Sequence, residues 1–385
     1  MGIGQSMVFG AGLVEMSIPR LIMICIALGL AYLAISKKYE PLLLLPLAIG
    51  MLIANIPVAG LSAYDEGGLL NFLYQGIIRI IYPPLIFLCI GSMTDFGPLI
   101  SNPKSALIGL GGQLGIFVAF GLSILIGNGL APYIPGFEGF SMQQAASIAI
   151  IGSSDGPTSI YTATRLAPEI LPSVAIAAFS YMALVPFIQP PIMRALTNDK
   201  ERVIVMPQPK HVTRRQKIIF PIAIIIGVLM LVPTAGALIG MLMLGNVIKE
   251  SGVADRYVRT LSNEMLNILT LLVALSIGAS ATADRFLTPQ TLIIIFCGLF
   301  AFVFGTIGAV LIAKLLCKLT GGKVNPLIGN SGVSAMPMAA RISQRLGQQY
   351  NPQNHLLMHA MGPIVASTIF SAIIAGVFIG TLGIG

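Results

Sequence analysis

Charge is scarce in this sequence. Only 9% of its 385 residues are Asp, Glu, Lys or Arg, against about a quarter in a soluble domain. A soluble fold of this size is excluded, because the 56% of residues that are hydrophobic could not be covered by so few charges. Histidine occurs three times, at His211, His355 and His359, and never with the HExxH spacing of a zinc peptidase helix. The four cysteines (Cys25, Cys89, Cys297, Cys317) stand singly in apolar runs, with no CxxC or Cys/His cluster. Neither a disulfide framework nor a zinc site follows from them. There is no low-complexity stretch and no charged tail. The net charge of +8 sits in short loops, the pattern that orients membrane helices rather than one that binds nucleic acid. The N-terminus lacks the order of a cleaved signal, so the run beginning at Leu21 after Arg20 reads as a retained helix.

What is present is apolar sequence in long runs. A helix needs roughly 20 apolar residues to cross the hydrocarbon, and the 42 glycines and 25 prolines suit membrane helices with broken segments. The one plainly polar segment, Thr197 to Lys217, carries Lys200, Arg202, Lys210, Arg214, Arg215 and Lys217 against Asp199 and Glu201. That excess places it in the cytoplasm.

The linker divides two halves that echo each other. Ile49-Gly50 through Pro57-Val58-Ala59-Gly60 matches Ile226-Gly227 through Pro233-Thr234-Ala235-Gly236. Ile90-Gly91-Ser92 matches Ile277-Gly278-Ala279, each ahead of an acid, Asp95 or Asp284. A polar glycine-rich break follows in each half, Gly152-Ser153-Ser154-Asp155-Gly156-Pro157 and Gly329-Asn330-Ser331-Gly332-Val333-Ser334, and then an arginine, Arg165 or Arg341. Crossings are expected near 41–58, 68–81, 84–95, 105–127 and 171–195, and again near 218–233, 237–248, 265–282, 290–313 and 354–382. The breaks fall near 144–163 and 326–342. An odd number of crossings inverts one half against the other. The expected fold is an all-α polytopic membrane protein of about eleven transmembrane helices, in two inverted five-helix repeats, each with a broken or re-entrant glycine-rich segment. The chain then divides into an N-terminal helix (1–40), a first repeat (41–197), the basic linker (198–217) and a second repeat (218–385). The loops carrying Lys249, Arg256, Arg259, Lys314, Lys318 and Lys323 join the linker inside. This sets the N-terminus inside and the C-terminus outside, with Lys37 and Lys38 outside against the rule.

Asp155 is the sharpest chemical feature. A carboxylate at membrane depth is costly and marks a functional site by default. Gly152, Gly156 and Pro157 let the helix open there. The freed carbonyls, Ser153, Ser154, Thr158 and the Asp155 carboxylate are hard oxygen ligands, suited to a hard cation. The plainer reading is a helix cap whose carboxylate satisfies backbone donors. The second break offers Asn325, Gly329, Asn330, Ser331 and Ser334 but no acid, so the pooled site would carry one negative charge, as for Na⁺; the other reading is a packing turn. Arg341 either holds an anionic substrate or anchors the cytoplasmic side. Tyr181 is a phenol in an apolar helix, a ligand or proton relay on one reading and a packing aromatic on the other. His359 reads as a hydrogen-bonded helix histidine, Arg79 and Asp95 as a pair or as snorkelling ends, and the eighteen methionines as filling.

At these residues the chain resembles the β subunits of the sodium-transporting decarboxylases that act on oxaloacetate, methylmalonyl-CoA or glutaconyl-CoA. The strings that carry the resemblance are GSSDGPTSIY with Asp155, SYMALVPFIQPPIM with Tyr181, NPLIGNSGVSAMPMAAR with Asn325, Gly329, Ser334 and Arg341, and HAMGP from His359. It spans about Pro41 to the C-terminus. It implies a bacterial inner-membrane subunit that decarboxylates carboxybiotin and couples the release to Na⁺ export with proton uptake. It implies roles in catalysis for Asp155, Tyr181 and Arg341, and in holding Na⁺ for Asp155, Asn325, Ser334, Gly329 and Ser154. Arg341 is then expected to meet carboxybiotin. The implied partners are a biotin-bearing carboxytransferase α subunit, a single-helix γ subunit and two further β subunits in a trimer. One departure stands out: Ile364 and Ser367 follow HAMGP where Asn and Gly are expected. The rival reading is a sodium-coupled carboxylate carrier or Na⁺/H⁺ antiporter, which shares the broken helices and buried acid.

Overall fold

A computed structural model describes residues 11–383. Helices and irregular connections make up the described residues, with no strand among them. The main helices are α1 Ile18–Ser36, α2 Pro41–Ala54, α3 Leu69–Ile78, α4 Tyr82–Met93, α5 Ala106–Gly112, α6 Leu114–Leu130, α7 Met142–Ala149, α8 Gly156–Leu166 and α9 Leu171–Leu196. After the linker come α10 Arg214–Leu231, α11 Gly236–Ser251, α12 Leu266–Ser280, α13 Pro289–Leu319, α14 Met338–Tyr350 and α15 Leu357–Leu382.

Among the described residues, five helical runs are long and apolar enough to cross a membrane: Ile18–Ser36, Pro103–Tyr133, Asp255–Ser280, Pro289–Leu319 and Leu357–Leu382. Two bent pairs bring the number to seven. In the first pair, α3 and α4 meet at 70°. Ile80 sits there with φ of 59°, and Pro83 and Pro84 open α4. Sequence reading took them as two crossings, but at 1.5 Å per residue neither helix alone reaches across about 30 Å. In the second pair α9 bends by 60° between Tyr181 and Leu184. Pro186 accounts for it, since its ring clashes with the carbonyl four residues earlier.

Glycine sets how closely the helices cross. A Cβ on Gly50 of α2 would lie 2.3 Å from the Leu275 carbonyl oxygen of α12, and one on Gly278 would lie 2.1 Å from that of Leu47. The α4–α11 crossing has the same form: Gly91 against the Leu242 carbonyl at 1.9 Å and Gly245 against that of Leu88 at 2.1 Å. Helix α13 runs through the middle, with Ile294, Cys297, Ala301, Phe302, Ala309 and Ala313 fully buried. Both breaks pack on it. Asp95 does not pair with Arg79; it meets Lys217 of α10 at 2.7 Å and so ties the first half to the start of the second.

Candidate sodium site between the two breaks

Each break opens for a local reason. A capping box starts α7, with the Ser141 hydroxyl accepting from Gln144 N and the Gln144 side chain accepting from Ser141 N. The helix tightens into a single turn over Ile150–Ser153 and ends when Ser154 turns left-handed at φ 57°. That conformation costs a non-glycine residue about 1–2 kcal/mol. Asp155 is extended and caps α8, its Oδ1 accepting from Thr158 N at 3.2 Å. The cap reading of Asp155 is therefore correct as geometry, and it uses only part of the carboxylate. The second break is a tight turn over Pro326–Gly332, then extended backbone at Val333.

The two breaks touch. Ser334 N donates to the Ser153 carbonyl at 2.9 Å. The contact is this close because the crossing helix has no side chain to interpose. A Cβ on Gly112 would lie 1.8 Å from the Gly332 carbonyl oxygen, and one on Gly152 would lie 2.5 Å from the Gly115 carbonyl carbon.

At the junction lies a cavity of about 220 Å³ with Ser154, Asp155, Ser334 and Thr368 as its polar lining and Met93, Leu266, Met336 and Met361 among its apolar walls. Asp155 is 5% exposed and takes part in no salt bridge among the described residues. Its Oδ2 accepts from the Ser371 hydroxyl at 3.0 Å. The Ser154 hydroxyl is buried with no hydrogen-bond partner among the described residues, and the Thr158 side chain stands beside the carboxylate. Burying an unpaired carboxylate and an orphan hydroxyl is unfavourable by several kcal/mol unless something charged completes them. An oxygen-ligated monovalent cation does so.

The structure brings Asp155, Ser154 and Ser334 to one cavity and holds the other sequence candidates elsewhere. Asn325 caps the second break: its Nδ2 donates to the carbonyls of Arg202 (3.0 Å) and Ile204 (2.8 Å), and its Oδ1 accepts from Leu327 N. Gly329 packs on α13, where a Cβ would meet the Val310 Cα at 2.6 Å. The Tyr181 hydroxyl donates to the Ile295 carbonyl, and its ring lines a separate apolar cavity of about 600 Å³ beside α1. Arg341 lies exposed in an open groove with Gln344, Arg345 and Leu357.

Sequence reasoning missed Thr368 and Ser371 of α15. Their signal was three hydroxyls, at 367, 368 and 371, inside an otherwise apolar helix. The departure on this helix also resolves into geometry. Ile364 is fully buried in an apolar cluster, while one turn on Ser367 accepts from the hydroxyl of Ser334 (3.0 Å) and from Gln113 Nε2 (2.9 Å).

Residues 19–382 match the family model described as the Na⁺-transporting oxaloacetate decarboxylase beta subunit. This chain belongs to that family. It is 49% identical to the methylmalonyl-CoA decarboxylase subunit beta of Veillonella parvula, over 98% of this chain and 97% of that one. It is 47% identical to the glutaconyl-CoA decarboxylase subunit beta of Acidaminococcus fermentans, over 98% and 97%. The oxaloacetate decarboxylase beta chain of Klebsiella pneumoniae matches at 43%, over 97% and 98%. The chain is thus a membrane decarboxylase β subunit of the sodium-pumping kind, and the carrier reading is set aside.

Proposed function

We propose that this β subunit decarboxylates carboxybiotin and couples the reaction to Na⁺ export with proton uptake, and that Na⁺ occupies the cavity at Asp155. The observation that carries this is the buried Asp155 carboxylate, which no Lys, Arg or His side chain meets among the described residues, beside the unpartnered Ser154 hydroxyl. Ser154, Ser334 and Thr368 complete an oxygen ligand set around it. In the reaction the C–N bond of the N-carboxylated ureido ring breaks, CO₂ leaves, and the ureido nitrogen takes a proton. Asp155 is suited to hold a proton when it does not hold Na⁺, because a buried carboxylate needs one or the other. Coupling then requires two arrangements of the breaks that differ in their affinity for ion and substrate. Tyr181 and Asn325 act on this cycle from outside the cavity, and the substrate's carboxylate is received at the cytoplasmic face, where Arg341 also lies.

The two like glycine crossings, α2 on α12 and α4 on α11, support an inverted-repeat architecture. They favour a pairing in which α1 belongs with the first repeat as α10 does with the second. Adding the shorter helices α2, α10 and α11 to the seven apolar spans approaches the expected eleven crossings. Glu40 lies close enough to Arg341 for the arginine to favour its carboxylate, although burial raises that group above its ordinary range. This supports placing Lys37 and Lys38 on the linker's face, with the other basic loops. The start of α1 then lies on the opposite face, a reversal of the sequence expectation, while the end of α15 stays outside. The subunit works in the bacterial inner membrane with a biotin-bearing α subunit, a γ subunit and two further copies of itself.

The test is Na⁺ uptake into inside-out vesicles holding the reconstituted complex, driven by decarboxylation. Asp155→Asn is expected to lower coupled turnover at least about a hundredfold, the loss of roughly 2.7 kcal/mol. Turnover and Na⁺ dependence like the wild type in that variant would refute the assignment.

A further inference from the structure

A second cavity, about 420 Å³ in volume, lies between the linker and the helix ends on its face. Lys104, Lys210 and Lys323 supply its charge, the half-buried His359 adds an imidazole, and no carboxylate is among the described residues that line it. Met206 and Pro207 of the linker give it an apolar side. A volume of this order accommodates a small bicyclic molecule. One wall is built deliberately: Asn325, fully buried, holds the carbonyls of Arg202 and Ile204, and the chain runs from there directly into the segment 206–210 that faces the cavity. Asn354 Nδ2 adds a second bond to the Arg202 carbonyl at 3.0 Å. The first turns of α15 join this cavity to the ion site. His359 lines the one, and Met361 and Thr368 line the other.

We propose that this basic cavity, rather than the groove at Arg341, receives the N-carboxylated ureido ring of carboxybiotin. The anionic carboxylate is held by Lys104, Lys210 and Lys323, and the apolar part of the bicycle lies on Met206 and Pro207. The inference rests on the reading that carboxybiotin is the substrate. The Arg341 groove is the weaker receptor, because it is exposed and lined by α14 and Leu357 alone. The cavity also gives Asn325 a task that its distance from Asp155 leaves open. It is a positioning residue that fixes the linker wall against which the ring lies.

An anionic lipid headgroup offers the lysines similar chemistry, so the experiment separates the two. The purified complex is placed in nanodiscs of neutral lipid alone, or of neutral lipid with phosphatidylglycerol, and supplied with free carboxybiotin. KM, kcat and the Na⁺ half-saturation are measured. The Lys104→Ala/Lys323→Ala double variant is expected to raise KM for carboxybiotin about tenfold in neutral discs. Its kcat and Na⁺ half-saturation stay within about twofold, and Lys104→Arg/Lys323→Arg restores KM. Asn325→Ala moves KM in the same direction and leaves the Na⁺ half-saturation unchanged. An unaltered KM in neutral discs overturns the proposal, as does a rise confined to discs containing phosphatidylglycerol, which assigns the lysines to lipid phosphate. Failure of the wild-type complex to decarboxylate carboxybiotin with Na⁺ dependence would instead bring down the functional reading itself.

Discussion

The two breaks are built from similar sequence and finished in opposite ways. The second satisfies itself. Asn330 donates to Gln189 Oε1 (2.9 Å) and the Ala339 carbonyl (2.8 Å), its own carbonyl accepts from Gln189 Nε2, and its Oδ1 accepts from Ser343. Asn325 likewise has its donors and acceptor filled by backbone. The first break leaves a carboxylate that no basic side chain meets and a Ser154 hydroxyl without a partner among the described residues. A closed network stiffens, whereas an unfinished one is shaped for a guest. On the proposed function, the second break is the frame that presents Ser334 to the cavity, and the first is where the ion would be held.

That contrast can be broken at several points. The largest effect is expected at their shared crossing. Gly112→Ala puts a Cβ 1.8 Å from the Gly332 carbonyl, and backbone has no way to yield. Loss of the folded complex, seen as absent assembly on size-exclusion chromatography, is the expected result. Normal assembly would mean the breaks are looser than described. Next, Asn330→Ala leaves Gln189 buried without its partner and is expected to destabilise by about 1–3 kcal/mol. Thermal unfolding in detergent reads this, and the surviving protein should keep its Na⁺ half-saturation. A changed half-saturation at unchanged stability would reverse the roles assigned to the two breaks.

Ser334→Ala tests the one side chain that the frame lends to the site. A severalfold higher Na⁺ half-saturation is expected, with a melting temperature close to the wild type, in line with about 1 kcal/mol for a neutral oxygen contact. The smallest effect concerns the strut beside the cavity. Burial alone would raise the Asp95 carboxyl, but the Lys217 ammonium and the Gly97 N–H more than offset it and hold it below its ordinary value. A depressed folded-state pKa adds stability that is full above about pH 4 and fades as pH falls through the lower folded value. Because this pair is partly exposed, its loss in Asp95→Asn should cost under about 1 kcal/mol at neutral pH. The variant's acid unfolding curve should be correspondingly flatter below pH 4, and a curve parallel to the wild type would deny the pair any role.

Much of this was legible in the residues. Asp155 stood out because a charge in an apolar run has one common explanation, and the breaks stood out because glycine, proline and small polar residues cannot continue a membrane helix unaided. What escaped was whatever depends on contact between distant segments. Asn325 and Ser334 are nine residues apart in one string, yet extended backbone at Val333 and the tight turn before it send them to different places. Thr368 and Ser371 looked like ordinary helix hydroxyls, since serine and threonine in apolar helices often bond their own backbone. The bend between α3 and α4 hid because Arg79 and Ile80 interrupt the apolar run too briefly to read as anything but a loop between crossings.

The bond from Ser334 N to the Ser153 carbonyl bears on how turnover could be watched. Any motion that parts the two segments must open it, so a transport cycle that separates the breaks would bring this amide to solvent once per turnover. Hydrogen–deuterium exchange at that single position would then keep time with the pump: slow in the resting complex, and quickening in proportion to the number of ions sent across.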